Sequence, residues 1–112
     1  RTHTQWYDVE PICELDGEPL MTINQHDADS LGLKAGDTVR VFNDRGEFEV
    51  HAAANDAIRP GSVRIYEAAT ADYTVAGNLQ NVTNNTMIER GYDLMCGPVI
   101  PFSDTLVEIE KA

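Results

Sequence analysis

Amide side chains crowd one stretch of this chain, where Asn78, Gln80, Asn81, Asn84 and Asn85 stand close together with Thr83 among them. Asn and Gln each offer a donor and an acceptor without charge, which suits the polar edge of a ligand and equally suits a solvated turn. Asn81-Val82-Thr83 and Asn84-Asn85-Thr86 also match the glycosylation acceptor pattern, which carries meaning only in an exported protein. His26, Asp27 and Asp29 are metal-ligating types, but two acids at the start of a short helix are expected from the helix dipole alone. Cys13 and Cys96 are far apart and lack CxxC or Cys/His spacing, so neither a zinc nor an iron–sulfur site is encoded by them. A nucleophile turn with Ser, His and Asp, a pair of buried carboxylates and a Gly-rich phosphate loop opening a helix are all missing, so the chain is not expected to react alone.

The elements that must position these residues are short. Leu31-Gly32-Leu33-Lys34-Ala35-Gly36-Asp37-Thr38-Val39-Arg40-Val41 combines a helix stop at Gly32, a tight turn at Gly36 and an alternating strand. Leu20 to Asn24 reads as a strand, and Asn24 to Ser30 supplies caps and acids for a brief helix. Thr38 to Asn43 and Glu47 to Ala53 form a predicted β-hairpin across Asn43-Asp44-Arg45-Gly46, with Val39, Val41, Phe48, Val50 and Ala52 inward. Arg59-Pro60-Gly61 turns into a strand over Ser62 to Tyr66 with Val63 and Ile65 facing the core, and Leu106 to Ile109 makes a last strand. His51 is expected on an outer face. Residues 1–19, where Pro11 and Pro19 preclude a long helix, and residues 67–103 read as two long irregular segments on this scaffold.

With 112 residues and 12.4 kDa the chain is expected to be one domain, residues 1–112, with a single modest core. Its 8 basic and 19 acidic residues give a net charge of -11, which repels phosphate backbones and argues against a nucleic-acid partner. No run approaches a membrane span, so direct membrane insertion is not expected, and the amino end lacks the regions of a signal peptide. Beginning at Arg1 rather than Met, the sequence is expected to be a processed product or an excised piece. Its compartment is not readable.

Taken together, Pro19-Leu20-Met21-Thr22-Ile23-Asn24, Asp27-Ala28, the LGLKAGDTVRVFNDRGEF run from Leu31 to Phe48, and Ile58-Arg59-Pro60-Gly61 resemble the molybdopterin dinucleotide-binding domain, the carboxy-terminal domain of large subunits of the DMSO reductase family. The resemblance spans nearly the whole chain. It implies a mainly β fold, a double-psi β-barrel with one or two short helices, that caps a bis-molybdopterin guanine dinucleotide. Mo or W would be bound mainly through the remaining domains or a large subunit of the molybdoenzyme. Two segments would reach the cofactor in the family pattern. One is the pre-barrel loop containing His3, Thr4 and Gln5, where His3 alone would otherwise read as a frayed terminal residue. The other contains Asn78, Gln80, Asn81 and Thr83. The family separates its Asn and Thr by two residues, whereas one residue stands between Asn81 and Thr83. A pterin is flat and rich in donors and acceptors, which amide, hydroxyl and imidazole groups can meet without adding charge. The implied activity is that of a molybdenum or tungsten oxidoreductase such as a nitrate reductase or a formate dehydrogenase-like enzyme, with the metal ligand on another domain.

Three other barrel families share parts of the pattern. The LGLKAGDTVRV element is similar to the amino-terminal double-psi barrel of a AAA ATPase, an interaction module, and this is the alternative reading. The Leu-Gly-Leu and Gly-Asp core is similar to swapped-hairpin DNA binders, which the net charge disfavours. Gly61-Ser62 is similar to the cleavage turn of self-processing decarboxylases, but the Ile58-Arg59-Pro60-Gly61 turn already accounts for it.

Overall fold

The computed structural model describes residues 6, 9–66, 71–88, 99–101 and 103–112. Among the described residues six strands carry the fold: β1 (Leu20–Asn24), β2 (Thr38–Phe42), β3 (Glu47–Asn55), β4 (Val63–Arg64), β5 (Ala76–Gly77) and β6 (Glu108–Lys111). Two helices accompany them, α1 (Glu10–Asp16) and α2 (Gln25–Ser30). The sheet runs in the order β4-β1-β3-β2-β6, with β5 added to β3. β1 lies parallel to β3 and the other pairs are antiparallel. The fold is mainly β, a sheet curled into a half-barrel with two helices.

Alternation of apolar residues sets the register of the central hairpin. Val39 faces Val50 and Val41 faces Phe48 across β2 and β3, so each apolar pair points to one side of the sheet. Those four residues, with Met21, Ile23, Ala28, Leu33, Ala52, Leu79 and Val82, form the buried core. On the opposite face Arg40 pairs with Glu47 and Glu110 and covers the Phe42 ring at 4.5 Å. The two carboxylates, Glu110 first, hold the guanidinium above its ordinary pKa. His51 is on this outer side, as its alternation requires, with Nδ1 3.0 Å from Glu18 Oε2.

The segment between α2 and β2 is tied down by named bonds. Asn24 caps α2 by accepting from the His26 amide at 2.9 Å, and its Nδ2 donates to Ile58 O at 2.7 Å. Asn24 is 7% exposed, and these two bonds satisfy a buried amide that would otherwise be costly. Asp27 sits in the first turn of α2, as expected, and also accepts from the Gly61 amide at 2.6 Å, fastening the helix to the turn before β4. Asp29 lies beyond the first turn and accepts from Gln25 Nε2 at 2.7 Å, so its placement reflects a local side-chain pair rather than the helix start. After α2 the chain passes beside β3, where Gly36 N donates to Ala52 O and Ala52 N donates to Asp37 O. Asp37 Oδ2 accepts from the Lys34 amide and from Lys111 Nζ. Lys111 first, then that amide, lowers the Asp37 pKa.

Several boundaries differ from expectation. Residues 10–16, read as irregular, form a two-turn helix because Pro11 falls at its start, where a missing N–H costs nothing. β4 is reduced to Val63–Arg64, although Ile65 still packs against the core. The last strand begins at Glu108 because its pairing places Ile109 opposite Val41. Leu106, expected in that strand, is 89% exposed. The segment 67–103 is less irregular than its composition suggests. It carries 3-10 turns at Ala71–Tyr73 and Leu79–Val82, strand β5, and two core residues. Among the described residues no helix is long and apolar enough to cross a membrane.

Candidate functional site

The amide-rich segment packs against the β2–β3 hairpin through its backbone. β5 pairs Gly77 with Phe48 and Ala76 with Glu49, and the Val75 amide donates to Glu49 O. Gly77 has φ +70, and a Cβ there would lie 3.0 Å from Glu47 O, so only glycine suits this crossing. At the hairpin turn, a Cβ on Gly46 would come within 3.1 Å of the Asn81 Cβ and carbonyl oxygen. Backbone and loop therefore touch at two glycines.

Just past Gly77 the chain makes a 3-10 turn. Asn78 is its cap, with Oδ1 accepting from the Gln80 amide at 2.9 Å. Leu79 and Val82 turn inward and are buried, which sends the intervening Gln80 and Asn81 outward. Asn81 Nδ2 donates to Glu47 O at 3.0 Å, and Thr83 Oγ1 donates to Leu79 O at 3.3 Å. Of the four expected residues in this segment, Asn78, Asn81 and Thr83 thus spend side-chain hydrogen bonds on holding the turn. Gln80 is exposed, and its side-chain amide is not engaged with the described residues. The other three expected residues, His3, Thr4 and Gln5, lie outside the described residues, as does Cys96.

Gln80 and Thr83 border a cavity of about 350 Å³. Its walls are largely apolar, supplied by Met21, Val41, Phe48, Val63, Ile65, Leu79, Val82 and Val107. The polar residues of the described lining are Gln80, Thr83, Ser103, Thr105 and Arg64, and the Arg64 guanidinium lies over the Tyr66 ring, 4.6 Å from its centroid. Among the described residues no Asp or Glu lines it, although the chain carries 19 acids. A neighbouring cleft of about 650 Å³, which shares Val63 and residues 103, 105 and 107, differs in containing Asp27 and Asp104 beside Arg59. Asn78 and Asn81 border neither space. Among the described residues no group of three or more His, Cys, Asp and Glu is placed to hold a metal ion.

Arg64, Ser103 and Thr105 had no motif to mark them. The exposed Arg64 follows Val63 in alternation along β4, and residues 103–107 are positioned by the bond from the Asn84 amide to Thr105 Oγ1, a contact between residues distant in sequence.

An apolar slot whose described lining includes an amide residue, hydroxyl residues and an arginine fits a flat heterocycle attached to an anionic group. Its volume suits a bicyclic ring, not a whole dinucleotide. In comparisons with known proteins, residues 1–97 match the family described as "Molydopterin dinucleotide binding domain". A Halobacterium salinarum protein named as the catalytic subunit of a dimethyl sulfoxide reductase is 35% identical over 112 residues, covering 100% of this chain and 13% of that protein. A trimethylamine-N-oxide reductase of Salmonella typhi is 33% identical, covering 99% of the chain and 14% of that protein. The chain therefore spans about one-seventh of the length of these relatives. Acetylene hydratase from Pelobacter acetylenicus shares the fold, with a TM-score of 0.65 at 14% identity over 98% of this chain and 16% of the hydratase chain. With nearly its whole length matched, the chain belongs to the molydopterin dinucleotide binding domain family.

Proposed function

We propose that residues 1–112 act as one domain that binds and caps a bis-molybdopterin guanine dinucleotide, as the carboxy-terminal domain or a split small subunit of a molybdenum or tungsten oxidoreductase. The observation that carries the reading is an apolar cavity lined by Gln80, Thr83, Ser103, Thr105 and Arg64 and, among the described residues, by no carboxylate, in a strongly acidic chain. Like charge around a phosphate-bearing ligand would oppose binding, and its local absence removes that penalty. When bound, the group supplies a pterin-held Mo or W centre and the electron transfer that accompanies it.

The chain's own residues would orient and enclose. Gln80 can donate to and accept from a heterocycle edge, Ser103 can do the same at shorter reach, and the Thr83 hydroxyl, which donates to Leu79 O, can accept. Arg64 offers a cation to an anionic portion. Asn78 and Asn81 keep half of each amide, Nδ2 of Asn78 and Oδ1 of Asn81, beyond the bonds that hold the turn. His3, Thr4 and Gln5 belong to the same reading through the family pattern. Apolar walls exclude water from the ring faces, which strengthens every polar contact at the rim. Gly36 and Asp37 bonding to Ala52 supports the completion of the half-barrel as a double-psi β-barrel. Relatives named as dimethyl sulfoxide and trimethylamine-N-oxide reductases, and the alpha chain of a respiratory nitrate reductase of Haloferax mediterranei, 39% identical over 59% of this chain, favour a reductase of oxides or oxyanions over a formate dehydrogenase-like enzyme.

Sizing the native polypeptide that carries these residues, with pterin and metal analysis of what copurifies, tests the reading. A species far above 12.4 kDa, or one near it that brings down a larger partner, with pterin dinucleotide and Mo or W, is expected. A homogeneous protein with neither pterin nor metal after growth with both metals supplied contradicts it.

A further inference from the structure

The hairpin turn Asn43–Gly46 holds no residue assigned to the site, yet one of its side chains reaches two separate walls of the cavity. Asn43 Nδ2 donates to Val82 O at 2.8 Å and to Leu106 O at 3.1 Å. Its Oδ1 accepts from the Arg45 amide at 2.9 Å and the Gly46 amide at 3.3 Å. All four hydrogen-bonding positions of one amide are in use. The oxygen closes the turn, and the nitrogen joins the end of the Leu79–Val82 turn to the residue between Thr105 and Val107. Those neighbours, Val82, Thr83, Thr105 and Val107, all line the cavity.

We propose that Asn43 is a positioning residue that sets the Gln80–Thr83 segment against residues 105–107, an inference that rests on reading that segment as cofactor-facing. Turn closure alone needs only the oxygen, because an aspartate accepts the same two amide bonds. The nitrogen is what bridges the two walls. Neighbouring contacts reinforce the geometry without duplicating it: Asn81 reaches Glu47 O, and Arg45 Nη2 lies 3.4 Å from Asn84 Oδ1.

Asn43→Asp separates the two tasks, since it keeps the acceptor for Arg45 and Gly46 and turns a second acceptor toward the carbonyls of Val82 and Leu106. Asn43→Ala removes both. Peptide-resolved hydrogen exchange on the full polypeptide carrying this domain, with and without its pterin, reads the outcome. In Asn43→Asp, peptides covering 78–84 are expected to exchange about tenfold faster, the change that loss of about one net hydrogen bond produces, while peptides covering 44–46 stay as in the wild type. Pterin release is expected to accelerate several-fold (~3-fold or more) by the same loosening. Val50→Ala, a truncation in the core away from these carbonyls, lowers thermal stability but leaves exchange over 78–84 and pterin release unchanged. Unaltered exchange over 78–84 in both Asn43 variants overturns the inference, whatever the pterin does. Faster exchange with unaltered pterin release upholds the hold of Asn43 on the segment and overturns the cofactor-facing reading instead.

Discussion

Replacing Gly77 by Ala perturbs the place where the amide-rich segment crosses the central hairpin. Two costs arise there. At φ +70 an L side chain sits in the left-handed region, which costs about 1–2 kcal/mol. The new Cβ also lies 3.0 Å from Glu47 O, 3.2 Å from Phe48 Cα and 3.3 Å from Phe48 Cβ, and relieving such overpacking costs about 1–3 kcal/mol. Gly36→Ala is the matched comparison, because Gly36 has φ +85 with nothing within 4 Å of a built Cβ. It bears the conformational cost alone. The entropy removed from the unfolded chain is common to both substitutions and cancels in the difference. Gly77→Ala is therefore expected to be less stable than Gly36→Ala by about 1–3 kcal/mol, read as the difference in denaturant midpoints at matched slope by far-ultraviolet circular dichroism. Equal destabilisation by the two substitutions, or a milder effect at Gly77, refutes the close approach of the segment to β3 and with it the placement of Gln80.

Other substitutions separate holding from binding. Gln80→Ala is expected to change unfolding free energy by less than about 0.5 kcal/mol, as for an exposed side chain, while shortening pterin retention; retained pterin argues against Gln80 as a contact. Asn81→Ala is expected to cost about 0.5–1.5 kcal/mol through its bond to Glu47 O, and a neutral effect in thermal melts contradicts that bond. Asp27→Ala is expected to destabilise by about 1 kcal/mol by freeing the Gly61 amide, with faster exchange at Gly61 as its signature. Asp37 has a folded pKa below its ordinary 3.8, so its contribution is present above the ordinary value and disappears as pH falls through the lowered one. Stability measured down through that window should fall less steeply in Asp37→Asn than in the wild type, and parallel curves contradict the Lys111 contact.

The strands and turns of the first half were legible because local chemistry dictates them. Val39, Val41, Phe48 and Val50 alternate, Asn24 precedes a helix it caps, and Gly32 and Gly36 take the positive φ their turns require. The second half was not legible by the same means. Leu79 and Val82 lie three apart in a polar stretch, a pattern too short to count as a period, and they become core only because β5 lays the segment on β3. Asn78 and Asn81 look alike in sequence as ligand-binding amides. Asn78 is taken up locally by capping the 3-10 turn, whereas Asn81 diverges from Gln80 through long-range geometry, since it reaches Glu47 O. Arg64 and Thr105 reach the same cavity from segments about forty residues apart, which no local pattern could join. The family resemblance, carried by the run from Leu31 to Phe48, located the segment; the hydrogen bonds sort its residues into those that fasten and the one left to reach outward.

An experimental structure of the pterin-loaded polypeptide bears most directly on the placement of the cofactor. The cofactor's heterocycle or an adjoining anionic group is expected within hydrogen-bond distance of the Gln80 amide, against the cavity bordered by Arg64, Thr83 and Thr105. A loaded structure in which the cofactor lies away from residues 78–83, with that cavity filled by another part of the protein, contradicts it.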